Sequence, residues 1–183
     1  MKAQPTRVPE VLLLTPQVFG DARGLFFEAW NARDYGDAGL PNDWVQDNLS
    51  RSQHGVLRGL HCQVQQLQAK LVRCVHGAIF DVAVDLRALS PTFGKWCGHV
   101  LDDATWHAMW IPPGFAHGYY VLSNLATVHY KASDFYAPTH ERILRWDDPD
   151  VGIEWPLVNG ASPTLSERDQ HGASLADARR WFA

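Results

Sequence analysis

Ile79-Phe80-Asp81-Val82-Ala83-Val84-Asp85-Leu86 alternates along its length, with Asp81 and Asp85 on one face and Phe80, Val82 and Val84 on the other. A period of two is the signature of a β-strand. Outward from this stretch, short apolar runs recur about every ten residues: Val11–Leu14, Gly24–Trp30, Lys70–Val75, Ala78–Leu86, Trp96–Leu101, His107–Ile111, Gly118–Leu122 and Thr127–Ala132. Pro91, Gly94, Gly98, Pro112-Pro113-Gly114 and Pro138 punctuate them. Short strands at that spacing predict a sandwich or barrel. Helical signal is confined to Asn31–Ala38 and to Ser174–Phe182, where Ser174 is the expected N-cap. The expected fold is all-β, a jelly roll (double-stranded β-helix) with short helices in the N-terminal region and at the C-terminus.

The 183 residues are 46% hydrophobic and 20% charged, a composition expected of one domain spanning residues 1–183. Eight Trp, eight Phe and five Tyr argue against disorder. A net charge of −4 argues against nucleic acid as a partner, though a locally basic pocket is compatible with it. No run approaches the roughly 20 apolar residues of a membrane span, and Met1–Glu10 carries no long apolar stretch. A cytoplasmic chain without a membrane partner is expected. Cys62, Cys74 and Cys97 have no CxxC spacing and are expected to be reduced core residues. The nine histidines point either to acid–base chemistry or to metal ligation.

The densest polar segment runs from Gln46 to Arg73. Strict alternation in Val56-Leu57-Arg58-Gly59-Leu60-His61 would place Val56, Arg58 and Leu60 on one face and Leu57, Gly59 and His61 on the other. Gly59 inside a strand marks a close approach of a ligand, a tight bend or a bulge. Arg58 offers a fork for phosphate or carboxylate, and Lys70 a second, mobile cation. A histidine beside two cations is expected to stay neutral, which suits a general base.

Metal ligation is the rival. The expected jelly roll resembles the cupins, whose first motif offers His-x-His with a later Glu and whose second reads Pro-x-Gly-x-x-His. The first motif is His61-Cys62-Gln63 here, and no Glu occurs between His61 and Glu141. The second survives as Pro112-Pro113-Gly114-Phe115-Ala116-His117. Two histidines without a carboxylate are a poor donor set for zinc or iron, so no metal is expected.

Several further segments complete a pattern: Phe19-Gly20-Asp21-Ala22-Arg23-Gly24, Gln46–Ser52, Gly55–His61, Gln68–Val72, Asp81–Arg87, Ser90–Gly94, Pro112–Gly118, Tyr130–Glu141 and Trp146–Trp155. In this order, from about Val11 to Asp169, they closely resemble the dTDP-4-dehydrorhamnose 3,5-epimerases, sugar-nucleotide isomerases of the cupin superfamily. Ordered motifs over that span are far more specific than any one alone.

The resemblance implies a site and a chemistry. His61 matches the family's general base, Asp169 the carboxylate that orients it, Tyr130 the general acid on the opposite face of the sugar, and Lys70 the cation at the C4 oxygen. Arg23, Glu28, Gln46, Asn48, Arg58, His117 and Arg168 match positions that contact nucleotide and diphosphate. Tyr136 matches a second tyrosine near nucleotide or sugar. The implied reaction needs no cofactor: C3 and C5 of a dTDP-4-keto-6-deoxy sugar are acidified by the neighbouring carbonyl and inverted through an enolate, by a base on one face and an acid on the other. Rhamnose synthesis is the implied pathway. A homodimer is implied too, with the Val11–Leu14 strand added to the partner's sheet.

Four positions depart from the family pattern. Cys62 stands where an aromatic is usual, Ala69 where a glycine is usual, and Arg168 where a lysine is common; Tyr119-Tyr120 adds a tyrosine beside the Pro-Pro-Gly turn. They leave room for a relative that inverts a single centre in secondary-metabolite sugar synthesis. The other readings are a noncatalytic nucleotide-sugar-binding cupin and a metal-dependent oxygenase or isomerase.

Overall fold

The computed structural model describes residues 1–182. Its frame is two antiparallel sheets. The first has the order β1 (Lys2–Pro5), β2 (Leu12–Thr15), β10 (Ala108–Ile111), β7 (Lys70–His76), β12 (Leu125–Ala132), β5 (Gln46–Gln53). The second has the order β13 (Glu141–Ile143), β6 (Leu57–Gln63), β11 (Phe115–Val121), β8 (Ala78–Asp85), β9 (Trp96–Asp102). Non-sequential neighbours in both sheets give the double-stranded β-helix expected of the sequence. A separate hairpin is formed by β3 (Val18–Asp21) and β4 (Gly24–Phe27), where Phe26, paired with Phe19, is 71% exposed.

The alternation in β8 is used on both faces. Ile79 and Ala83 join Val72, Met109, Tyr119 and Val128 in the core between the sheets. Val82, Val84 and Leu86 pack on the outer side against Leu144, Val151 and Leu175. The two acids therefore lie in the interior, and both are fully buried. Asp85 is saturated there by Arg87, Ser90 and Thr92 at 2.6–3.0 Å, which ties down the turn after β8. Asp81 bonds His117.

The helices are shorter than the sequence suggests. Asn31 caps α1 (Ala32–Asp37) by accepting from the amides of Arg33 and Asp34. Ser174 caps α2, which runs only from Leu175 to Ala178. The expected Gly24–Trp30 strand stops at Phe27, and β11 starts at Phe115, three residues before the expected Gly118. Strands β1, β3, β5 and β13 carry no apolar run to announce them. In β5 the inward positions are Gln46, Asn48, Ser50 and Ser52, because that face lines a polar cavity instead of the core. Both sides of β2 are taken by β1 and β10 of its own chain, which leaves β1 as the N-terminal edge strand of the sheet.

The strict alternation of Val56–His61 is also corrected. β11 pairs His117 with His61 but Tyr119 with Arg58, so the single residue Gly118 faces both Gly59 and Leu60. This is a β-bulge, and it turns Arg58 and His61 to the same side. Gly59 sits at φ +120°, and a Cβ there would lie 2.6 Å from Gly118 Cα and 2.8 Å from the His117 carbonyl oxygen. Gly59→Ala is expected to cost about 2–4 kcal/mol from strain and overpacking. Thermal unfolding should register a drop of roughly 5–15 °C; an unchanged midpoint would disprove this account of the bulge.

Candidate active site

The bulge opens one end of the space between the sheets into a cavity of about 140 Å³ lined by Ser50, Arg58, His61, Lys70, His117, Gly118, Tyr119 and Tyr130. Arg58 and His61 come from β6, and His117 and Tyr119 from β11, in one sheet. Ser50, Lys70 and Tyr130 come from β5, β7 and β12 in the other. His61 and Tyr130 therefore look at one another across the cavity from opposing walls. An outer cleft of about 390 Å³, lined by Arg58, His61, Thr164, Leu165, Ser166, Arg168 and Asp169 among others, continues from it toward solvent.

His61 Nε2 and Asp169 Oδ1 are 2.6 Å apart, although the two residues are 108 positions apart in sequence. Asp169 is only 4% exposed. Burial alone would raise its carboxyl; the hydrogen bond and charge of His61, helped by Ser166 and the Gly59 amide, outweigh this and hold it below the usual range. The carboxylate thus fixes the His61 tautomer as Nε2–H and leaves Nδ1 as the basic nitrogen. The group touching the ring is a carboxylate, not the pair of cations that the sequence suggests.

Lys70 is not the mobile phosphate-binding cation that its sequence position suggests. It is buried, its Nζ lies 3.5 Å from the His61 carbonyl oxygen, and burial pushes its ammonium down to about 8. Burial pushes the Tyr130 phenol up, with Tyr119 adding to the effect. A protonated phenol on one wall and a carboxylate-bound imidazole on the other make a donor and an acceptor across one cavity.

The other polar candidates are tied into two separate sets of hydrogen bonds. Arg58 Nε donates to Ser52 Oγ at 3.0 Å. Arg168 pairs with Glu141, whose Oε2 also accepts from the Tyr136 hydroxyl at 3.2 Å. Gln46 Oε1 accepts from the Tyr136 amide at 3.0 Å, and Gln46 Nε2 donates to Asn48 Oδ1 at 2.8 Å. The Asn48 Nδ2 is buried without a partner. Gln46, Asn48 and Tyr136 line neither the cavity nor the cleft, and two further candidates stand on or beside the β3–β4 hairpin. Arg23 is 91% exposed in the β3–β4 hairpin, bound to Asp21, and Glu28 is exposed just after β4. Neither lines the cavity or the cleft.

Sequence reasoning passed over Ser50, Tyr119, Asp81 and Glu141 as site residues. Tyr119 was visible only as an additional tyrosine beside the turn motif; its hydroxyl meets Ser50 Oγ at 2.8 Å inside the cavity. Among the described residues, no group of three or more His, Cys, Asp or Glu is arranged to hold a metal ion.

The family model described as dTDP-4-dehydrorhamnose 3,5-epimerase matches residues 5–177. The chain belongs to this family. A dTDP-4-dehydrorhamnose 3,5-epimerase of Pseudomonas aeruginosa is 54% identical over 97% of this chain and 98% of its own length. Solved structures of the family superpose closely. The epimerase of Legionella pneumophila in complex with dTDP-4-keto-L-rhamnose gives a TM-score of 0.92 at 45% identity, covering 96% of this chain and 93% of that one. A 3'-monoepimerase of Streptomyces bikiniensis in complex with dTDP-quinovose gives 0.89 at 35% identity, covering 96% and 89%. The jelly roll and the family membership expected of the sequence are thus established.

Proposed function

We infer that the protein is an isomerase that inverts C3 and C5 of dTDP-4-dehydro-6-deoxy-D-glucose to form dTDP-4-dehydro-L-rhamnose. The carrying observation is the pairing of His61 and Tyr130 on opposite walls of one cavity with Lys70 between the sheets. His61 Nδ1 takes the proton from the carbon next to the C4 carbonyl, and the electron pair moves into the carbonyl to form the enolate. The Lys70 ammonium meets the developing negative charge on the C4 oxygen. Tyr130 returns a proton to the carbon from the other face, which inverts the centre. Asp169 keeps His61 in its working tautomer and stabilises the imidazolium that forms. Proton exchange with water then resets both groups for the second centre.

The 390 Å³ outer cleft is of the size that nucleotide-like ligands occupy. Arg58 and Arg168 there are the cations for the diphosphate, with Gln46, Asn48, His117 and Tyr136 as further substrate contacts. Arg23 and Glu28 stand outside their own chain's pocket and serve the substrate only if a second copy brings its hairpin to the cleft. The exposed Phe19, Leu25 and Phe26 support such a homodimer. Residues 1–183 act as one domain in the cytoplasm, with neither nucleic acid nor membrane as partner. Among the described residues no helix is long and apolar enough to cross a membrane, and the net charge is −4.

In deuterated buffer the enzyme is expected to place one deuterium at C3 and one at C5 of the sugar, read by NMR. Label at C3 alone would replace this reading by the single-centre one, for which the 3'-monoepimerase shows that the same fold suffices. Binding with no exchange at either centre would leave a nucleotide-sugar-binding protein.

A further inference from the structure

At the cavity wall lies a buried pair, His117 and Asp81, whose acid the reaction scheme leaves unused. His117 lines the cavity, and its Nε2 is 2.8 Å from Asp81 Oδ1. Asp81 does not line the cavity and is fully buried. It stands on β8 opposite Tyr119 in the register with β11, so it projects into the space between the sheets. Its second oxygen, Oδ2, has no hydrogen-bond partner. A buried acid with a free oxygen is costly unless a nearby charge or a task compensates it.

We propose that Asp81 is a positioning residue of the epimerisation: it holds His117 as the Nε2–H tautomer, with Nδ1 as the acceptor for a sugar hydroxyl, and its charge offsets that of Lys70. The proposal rests on the proton-transfer reading given above. Within the described residues no hydrogen bond uses His117 Nδ1, so a donor on the bound sugar has an acceptor available there. The second part follows from placement. Lys70 and His117 line the same cavity, and the Asp81 charge acts on both from behind it. Without that charge, the ammonium at the C4 oxygen would be harder to keep.

Several titratable groups face the pair from the strands packed against it. Lys70 faces Cys62 on β6 and Asp81 on β8, with His117 of β11 and, beyond it, His61. Asp81 faces Lys70 and Cys74 on β7, Cys97 and His99 on β9, and His117. Burial pushes the three thiols up and both His99 and His117 down. Of Lys70, His99, His117 and the three thiols, Lys70 is therefore the one whose charge changes between neutral pH and about pH 9.

Nitrogen-15 NMR of histidine-labelled wild-type protein at pH 7 tests the tautomer directly. His117 with a proton on Nε2 and none on Nδ1 is expected; a proton on Nδ1 would overturn the proposal whatever the variants do. Asp81→Asn keeps an acceptor for Nε2–H but removes the charge. It should retain the tautomer while the alkaline fall in kcat begins at lower pH than in the wild type. Asp81→Leu removes both and should lower kcat/KM by about 10–100-fold, as loss of an orienting partner does. A merely structural residue would lower the rate by one factor at every pH. Variants that match the wild type in rate and pH profile would overturn the proposal. Absence of deuterium exchange in the wild-type enzyme would instead bring down the reading of the reaction.

Discussion

His61→Gln is expected to lower kcat by about 10³-fold or more while leaving the fold intact, because it removes the base that takes the C3 and C5 protons. Glutamine carries its amide nitrogen out to the position of the imidazole Nε2 and so keeps a donor for Asp169 Oδ1, and the buried carboxylate is not left without a partner. The side chain lies at the cavity wall and not in the core clusters, so the melting temperature should move by only a few degrees. KM should change little, since the groups proposed for the diphosphate, Arg58 and Arg168, are untouched. The decisive measurement is solvent deuterium entering C3 and C5 in the variant. Incorporation at the wild-type rate would assign the base to another residue.

The second large effect has opposite signs for activity and stability. Lys70→Met is expected to lower kcat by about 10²–10³-fold, the usual consequence of removing one oxyanion-stabilising group. It should also make the protein more stable at neutral pH. Burial holds the Lys70 ammonium at about 8, against about 10.4 for a free lysine, a depression that corresponds to about 3 kcal/mol. Below pH 8 the folded protein bears that full cost. Between about 8 and 10.4 the unfolded chain binds more protons than the folded one, so wild-type stability rises with pH and the cost disappears. Methionine fills a similar volume without the charge. Its advantage should be about 1–3 kcal/mol at pH 7, since Asp81 loses a compensating charge, and should vanish toward pH 10. Thermal melts at both pH values check this, and a destabilised variant at pH 7 would refute it. The same titration predicts that wild-type kcat falls as pH rises through about 8, when Lys70 loses its proton.

Much of this site could be named from the sequence because its residues sit beside strong local signals. The alternation of β8 and the punctuation around Pro112-Pro113-Gly114 placed His61 and His117 on strands of a jelly roll. The missing His-x-His pair disfavours a metal and leaves proton transfer as the role of His61. What failed was anything that depended on a neighbouring strand. Polar β5 was invisible as a strand because its inward face meets a cavity, and a hydrophobic period marks only faces that meet a core. Lys70 looked like a mobile surface cation because nothing in Gln68-Ala69-Lys70 reveals that the opposite sheet closes over it.

The residue types and their order were enough to determine the β architecture and the family, which rest on local periodicity and on motifs read along the chain, and the family resemblance in turn implied the candidate acid, base and cation. Only the tertiary structure decided which side chains meet. The bulge at Gly59 turns Arg58 and His61 to one side, Asp169 reaches His61 across 108 positions, and Arg23 is left outside its own chain's pocket. The reason is physical: a side chain's direction depends on the register of its strand against its partner, and a one-residue slip reverses it. That register is set by long-range packing and by the close approach of Gly118 to Gly59, neither of which leaves a mark on the local sequence beyond a glycine.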